Sequence, residues 1–345
     1  MTVKRVRLFL IRHGETVDNV AQLYAGSRDS ELTNHGFHQA TRLGIHFKTQ
    51  GIHITHLFSS HLQRAVKTAT IIQQEQASLT SYVNHTHNVP KLVQLPLLME
   101  QDFGSREGKK WSEKPPDSKL IGKKRERGED KDESSFIDIE SKESIAKRAD
   151  AFLAGHLLPL LDEAAESSHD KVVAIVSHGI MLSHLWKRFL LRLQPESVSF
   201  SPELLSNSSR LSLEHLGGWS NTGYLELCLI RSALGSVTGE TLPDPNSKSL
   251  MVHDTHVTTE GDPSVSNTSS NAYNLASGAN EYLASANTDP TPHSTNAERG
   301  WTVLIETVNG KDHLKGIRRT GGGVGSARHD SSQKNIDSFF KPLNG

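Results

Sequence analysis

Four short segments carry side chains whose types and spacing fit a single reaction. Arg12-His13-Gly14-Glu15-Thr16 comes directly after a short apolar run, and Ser60-His61-Leu62-Gln63-Arg64-Ala65 opens a stretch with helical spacing. Leu98-Met99-Glu100-Gln101-Asp102-Phe103-Gly104-Ser105-Arg106-Glu107-Gly108 holds the carboxylates of Glu100, Asp102 and Glu107, and Val176-Ser177-His178-Gly179 closes the most strand-like run of the chain. Arginine stays charged and binds phosphate oxygens in pairs. Histidine can act as a nitrogen nucleophile near neutral pH, and a carboxylic acid can protonate a departing alkoxide. Brought together, two histidines, two arginines and a glutamate suit phosphoryl chemistry.

The elements between these segments must do the bringing together. Residues 6–11, short, apolar and rich in strand formers, predict a buried strand. Thr33 is a helix start signal, and Ala40, Leu43, Gly44 and Phe47 follow at helical spacing over residues 33–48. Residues 54–59 predict a second strand, and 61–77 a helix with Leu62, Ala65, Val66, Ala69 and Ile72 on one face. A short strand is expected within 92–98, a helix over 143–165, a strand over 171–177 and a helix over 180–191. Residues 210–216, 222–230 and 301–308 add three strands, the last followed by the turn signal Asn309-Gly310. Strands alternating with helices predict an α/β fold, a three-layer α/β/α sandwich with a mainly parallel central sheet. Ligands of open α/β sheets bind at the carboxyl ends of strands, and each of the four segments sits where a strand ends or a helix begins.

The 345 residues hold 38 Lys+Arg against 39 Asp+Glu, a net charge of −1 that argues against a protein built to coat nucleic acid or an anionic membrane. The lone cysteine, Cys228, excludes an internal disulfide framework and a cysteine-based zinc site, and fits a reducing compartment such as cytosol or nucleus. The apolar run near the N-terminus is interrupted by Arg12 with no small-residue cleavage site after it, so no signal peptide is expected, and no stretch approaches the ~18 apolar residues of a membrane span. Residues 1–234 are expected to form one domain, with a solvated, charged insertion at 105–135. A disordered Ser/Thr/Asn-rich insertion is expected at 235–299, a closing strand of the same domain at 300–318, and a flexible tail at 319–345.

The four segments in this order, with Asp29-Ser30-Glu31-Leu32-Thr33-Asn34-His35-Gly36 between the first and second, resemble the histidine phosphatase superfamily, also called the phosphoglycerate mutase-like family. The resemblance covers roughly residues 5–230 and resumes at 301–316. It implies that His13 is the nucleophile, transiently phosphorylated, with Arg12, Arg64 and His178 around the phosphoryl group. Glu100 is implied as the acid that protonates the leaving group and then takes a proton from water, with Asp102 and Glu107 as rival carboxylates. Asn19 matches an Asn of the longer signature and is implied to touch phosphate, and Gly26 to let the backbone approach substrate. No cofactor and no metal are implied; the histidine pairs His53/His56 and His85/His87 lack a partner signature and are taken as ordinary surface residues.

The chain also departs from the pattern. His61 stands where many members have Pro, and Val17-Asp18 replaces the common pair before Asn19. No basic, proline-rich element for holding a phosphoglycerate is found, which favours phosphatase over mutase. His178 is followed by Gly179 rather than by the Asp of the acid phosphatase branch, which supports Glu100 as the acid. A non-catalytic scaffold role is the reading from another class. Near the C-terminus, Gln333, Ile336, Phe339 and Phe340 form the pattern Gln-x-x-Ile-x-x-Phe-Phe, within residues 333–340. It resembles the peptide box that docks proteins onto the DNA sliding clamp, the proliferating cell nuclear antigen, which implies a clamp partner and a place in the nucleus as well as, or instead of, the cytoplasm. The other partner expected is a phosphorylated substrate of unspecified identity.

Overall fold

β1 (Lys4–Arg12) sorts its side chains between two cores with the period of a strand. Val6, Leu8 and Leu10 enter one apolar cluster, Phe9 and Ile11 the other. β2 (His56–Ser60) and β4 (Lys171–Ser177) divide in the same way, Phe58, Val173 and Ile175 on one face, Leu57, Ala174 and Val176 on the opposite face. A sheet that is apolar on both faces needs helices on both. α2 (Asn34–Thr49) and α3 (Gln63–Ala77) cover one. α4 (Lys142–Phe152), α5 (Leu158–Glu166) and α6 (Gly179–Leu190) cover the other. The expected three layers are therefore present.

The computed structural model describes residues 4–77, 90–113, 138–167, 169–207, 211–231, 300–321 and 323–332. All lie in one of the chain's two units, residues 1–233 together with 294–345. The sheet has seven strands in the order β3-β2-β4-β1-β6-β7-β5. β3 (Leu92–Leu95), β5 (Val198–Phe200) and β7 (Trp301–Gly310) run with β1, β2 and β4, and β6 (Tyr224–Arg231) runs against them. The parallel register of β1 on β4 sets Arg12 opposite Ser177, so the residues that follow, His13 and His178, leave the sheet side by side.

Several boundaries differ from expectation for local reasons. The predicted strand over 92–98 stops at Leu95, where Pro96 starts a 3-10 turn, Pro96–Leu98. The helix expected over 143–165 is interrupted by a π-helical turn, Leu153–Leu157, just before Pro159, which has no N–H for the α-helical ladder. Residues 211–216 are not a strand: they hold an isolated bridge, Ser212 to His215, while Leu213 and Leu216 pack on the core and the Leu213 carbonyl accepts from Trp186 Nε1 at 2.7 Å. Their leucines reflect packing rather than pleating. Asn309-Gly310 ends β7 rather than a separate hairpin turn; Asn309 has φ 48° and its side chain bonds Ser220. Cys228 is half-buried on β6. Two short helices, α1 (Val17–Ala21) and α7 (Pro202–Asn207), have no counterpart in the sequence reading.

The first part of the expected charged insertion is also not solvated chain. Glu107 accepts backbone N–H bonds from Gly26, Ser27 and Phe103 at 2.9–3.1 Å, and residues 108–111 pair with 22–24. Residues 114–137 lie outside the described residues, as do 232–299 and the peptide 333–345. Of the expected flexible tail, residues 323–332 lie against the start of α2, where the His329 ring stacks on Phe37 at 3.9 Å and Asn34 N–H bonds the Ala327 carbonyl at 3.0 Å.

Two glycines let the catalytic-type loop after β1 touch the start of α2. A Cβ on Gly36 would lie 2.0 Å from the Glu15 carbonyl oxygen, and one on Gly14 would lie 2.6 Å from that of Gly36. Both neighbours are backbone, which cannot swing aside. Gly36→Ala should therefore destabilise the protein by about 2 kcal/mol, a typical overpacking cost, and lower the melting temperature by roughly 4–8 °C. Thermal unfolding followed by circular dichroism checks this; an unchanged melting temperature would contradict the close approach.

Candidate active site

The loop after β1 fixes His13 through its backbone first. His13 N–H donates to the Ser177 carbonyl at 3.0 Å, and its own carbonyl accepts from Thr222 N–H at 3.2 Å and Asn221 Nδ2 at 3.2 Å. The ring is held next. His13 Nδ1 lies 2.7 Å from the Gly14 carbonyl oxygen, which can only accept, so Nδ1 carries the proton. The side chain is 4 % exposed. Burial, reinforced by the charges of Arg64 and Arg12, holds the imidazole pKa well below its ordinary value, with the Gly14 bond opposing. The neutral ring protonated at Nδ1 leaves Nε2 with a free lone pair.

His178 follows the same logic with the opposite tautomer. It ends β4 at the N-cap of α6 and is fully buried. Arg64 Nε, a donor, lies 3.2 Å from His178 Nδ1, which must therefore accept. Burial first, then the charges of Arg64, His13, Arg12 and His61, hold the His178 pKa well below its ordinary value. The neutral ring carries its proton on Nε2, which has no hydrogen-bond partner among the described residues. The His13 and His178 rings are 5.0 Å apart.

The arginines differ in how much of their hydrogen-bonding capacity is spent. Arg64, in the first turn of α3 and 1 % exposed, donates from Nε to His178, from Nη1 to the Arg28 carbonyl at 2.8 Å, and from Nη2 to the carbonyls of Ala25 and Gly26 at 3.1 and 2.7 Å. Its Nη1 also lies 4.0 Å from Asp29 Oδ1, an ion pair. Arg12 donates from Nη1 to the Trp219 carbonyl at 2.6 Å, and its buried Nε has no partner among the described residues. Burial pulls both guanidinium pKa values down and the Glu100 carboxylate opposes it; arginine remains a cation in either case.

Glu100 reaches this floor from the chain after β3. Its Oε1 accepts from Gln101 N–H and Met181 N–H at 3.0 Å each, and its Oε2 from Ile180 N–H at 3.1 Å. The carboxylate thus sits on the first turn of α6, where the helix dipole favours negative charge. The rival carboxylates are engaged elsewhere. Asp102 Oδ1 accepts from Gly104 N–H at 2.7 Å, and Glu107 ties the 103–107 loop to Gly26 and Ser27.

Arg12, His13, Arg64 and Glu100 open onto one cleft of about 530 Å³, and Asn19 lines it as well. Asn19 Oδ1 is occupied by Thr16 N–H at 3.2 Å and Asn221 Nδ2 at 3.1 Å, which leaves its NH2 half for a ligand. Gly26 departs from expectation. It does not line the cleft, and a Cβ there would fall 1.9 Å from the Gln101 carbonyl, so its glycine serves the packing of the two loops. The tail residues Gln333, Ile336, Phe339 and Phe340 lie outside the described residues. Sequence reasoning missed Asn221 and Arg319, and took Glu107 for a rival acid rather than a loop clamp. Arg319 pairs with Glu15, whose other oxygen accepts from Thr33 Oγ1 at 2.9 Å, so the C-terminal segment braces the loop that carries His13. No local motif signals Asn221 or Arg319, since each acts on a part of the chain far away in sequence.

The two buried neutral histidines make stability depend on pH. Their folded pKa values lie below the unfolded value of about 6.5, so the unfolded chain binds more protons once the pH drops under that value. Their contribution is fully present above pH 6.5 and is lost on acidification. The melting temperature should fall from pH 7.5 to pH 5, and it should fall less in a His13→Asn, His178→Asn double variant. Scanning calorimetry across that range checks the slope; equal slopes in the two proteins would contradict it.

The chain has relatives that can be named. A broad-specificity phosphatase of Saccharomyces cerevisiae is 29 % identical over 176 residues, 50 % of this chain and 66 % of that protein. A Schizosaccharomyces pombe protein named "Probable phosphatase" is 30 % identical over 229 residues, 66 % of this chain and 65 % of its own length. A 2,3-bisphosphoglycerate-dependent phosphoglycerate mutase of Methylorubrum populi is 36 % identical over 103 residues, 29 % of this chain and 43 % of the mutase. The chain thus spans less than two thirds of the length of these curated relatives. The solved phosphoglycerate mutase of Bacillus anthracis str. Sterne superposes with a TM-score of 0.41 at 24 % identity, over 65 % of this chain and 88 % of that one. The family description "Histidine phosphatase superfamily (branch 1)" matches residues 8–217, which hold every side chain on the floor of the cleft, and the chain belongs to that superfamily.

Proposed function

We propose that the chain hydrolyses phosphomonoesters without a metal, through a phosphate carried on His13 Nε2. One observation carries the reading: a buried, neutral histidine with a bare Nε2 beside the unpartnered N–H donors of Arg12 and His178. Those donors have no acceptor among the described residues, and a phosphoryl group would supply one. Two guanidinium groups provide the positive charge that phosphoryl transfer needs on its equatorial oxygens.

The steps balance as follows. The Nε2 lone pair forms the N–P bond, the bond from phosphorus to the ester oxygen breaks, and that oxygen takes the proton of Glu100, which must enter this step as the carboxylic acid. Water then attacks phosphorus, Glu100 takes back a proton, the N–P bond breaks, and inorganic phosphate leaves. Glu100 Oε2, with a single N–H bond against the two on Oε1, is the oxygen that exchanges the proton. The names of the yeast relatives support phosphatase chemistry, and the mutase names among the relatives fit the same phosphohistidine step.

Recruitment to a nuclear complex is a separate part of the proposal, supported by the spacing of Gln333, Ile336, Phe339 and Phe340 alone. The two Phe rings would supply the apolar anchor. Full-length protein should bind the sliding clamp in calorimetry and lose that binding on Phe339→Ala with Phe340→Ala; no binding by the wild type would remove the nuclear reading.

For the catalytic part, His13→Ala should reduce turnover of p-nitrophenyl phosphate by about three orders of magnitude or more, as loss of one member of a coupled unit does. Turnover by the wild type should survive EDTA, because the cations that face the phosphoryl group are side chains. Steady-state kinetics with and without chelator checks both. Activity within tenfold in His13→Ala, or loss on chelation that Mg²⁺ or Zn²⁺ restores, would overturn the reading.

A further inference from the structure

The cleft has a polar floor and a wall of a different kind. Tyr24, Phe103, Trp111 and Trp219 line it above the floor. Their placement is built in. Trp111 N–H donates to the Gln22 carbonyl at 3.0 Å, Tyr24 N–H to that of Lys109 at 2.9 Å, and Gly108 N–H to that of Tyr24 at 2.8 Å, so a short antiparallel pairing holds the rings over the cleft. The Tyr24 and Phe103 rings meet at 4.8 Å. Trp219 Nε1 donates to Ser183 Oγ at 2.9 Å while its carbonyl takes Arg12 Nη1. Trp111, a large apolar side chain lining the cleft, is 49 % exposed.

The cleft is also lined by the stripe Gly179, Ile180, Ser183, His184 and Lys187 of α6, on which Trp219 rests through Ser183. Lys187 lies eight positions after Gly179, which places the two about 12 Å apart along the helix at ~1.5 Å per residue. Lys187 makes no ion pair among the described residues, and the cleft offers it no carboxylate except Glu100, which is bound to the first turn of the helix.

We propose, building on the reading above, that the substrates of this site are elongated phosphomonoesters with a flat aromatic body and a second anionic group at the far end. The phosphoryl group lies on the floor at His13, the aromatic body lies between the rings of the wall, and the second anion meets Lys187. A polyol or sugar body would lose water from its hydroxyls against ring faces that return no hydrogen bond, which costs affinity. A flat aromatic body gains offset or edge contacts there as well as apolar burial. The preference is therefore set by the body of the ester and not by its phosphate.

Non-hydrolysable phosphonates test this on the full chain, by calorimetric binding, so the result stands whether or not the protein turns over. Biphenylmethylphosphonate should bind at least about tenfold tighter than 2,3-dihydroxypropylphosphonate, the scale of one aromatic anchor. A 4′-carboxylate on the biphenyl should add about threefold more, the scale of a solvent-exposed ion pair. Trp111→Ala should lose most of the gap between the aromatic and polyol compounds. Lys187→Gln should lose the carboxylate increment and keep that gap. Equal affinity for the aromatic and polyol compounds, or a gap unchanged in Trp111→Ala, would overturn the aromatic assignment; a carboxylate increment unchanged in Lys187→Gln would overturn the anion site. Turnover of p-nitrophenyl phosphate with its His13→Ala control reports separately on the catalytic reading.

Discussion

One carbonyl decides which nitrogen of His13 is free. The Gly14 oxygen can only accept, so it draws the imidazole proton to Nδ1 and leaves Nε2 bare. The rest of the local structure keeps that carbonyl in place. Gly14 N–H donates to Thr68 Oγ1 at 3.1 Å, Glu15 N–H to Gln39 at 2.9 Å, and the Gly36 backbone lies in direct contact with Gly14 and Glu15. Thr33 and Arg319 then close on the Glu15 carboxylate. A loop of five residues is thereby tied to α2, to α3 and to the C-terminal segment, which is how His13 can sit on a loop yet hold one orientation.

Charge and burial do complementary work on the floor. Burial, reinforced by the charges of Arg64 and Arg12, keeps the two nearby histidines neutral, because a further positive charge there would be unsolvated and repelled. The same arginines make the floor a place for an anion. Arg64 spends most of its donors on the carbonyls of residues 25, 26 and 28, so it serves as fixed charge and as the group that sets the His178 tautomer. Arg12 Nε and His178 Nε2 have no hydrogen-bond partner among the described residues. The division is one that a list of conserved-type residues would not reveal.

The sequence made the central strands, the helices beside them and the floor of the cleft legible, because each is announced locally. β1 and β4 hold the apolar runs 8–11 and 172–176, Thr33 does cap α2, accepting from Gly36 N–H at 2.9 Å, and Arg12, His13, Arg64 and His178 lie at the end of a strand or start of a helix. What stayed hidden is non-local. Glu107 looks like one more acid in a charged stretch, and only the fold shows it clamping Gly26 and Ser27. Residues 210–216 alternate enough to suggest a strand, yet their leucines pack without a strand partner. Trp111 and Lys187 acquire meaning only when the 22–24 pairing and the exposed stripe of α6 are known. Arg319 reaches Glu15 across 304 positions of sequence, a contact no spacing argument could anticipate.

The central claim is chemical and local: phosphate is carried on His13, on the nitrogen that the Gly14 carbonyl leaves free. Brief exposure to a phosphomonoester, rapid denaturation in base and phosphorus–nitrogen correlated NMR of the protein locate the phosphate directly. The account predicts an acid-labile phosphoramidate on Nε2 of His13, absent in His13→Ala. Phosphate on Nδ1, on another residue, or on no residue while turnover proceeds would contradict it.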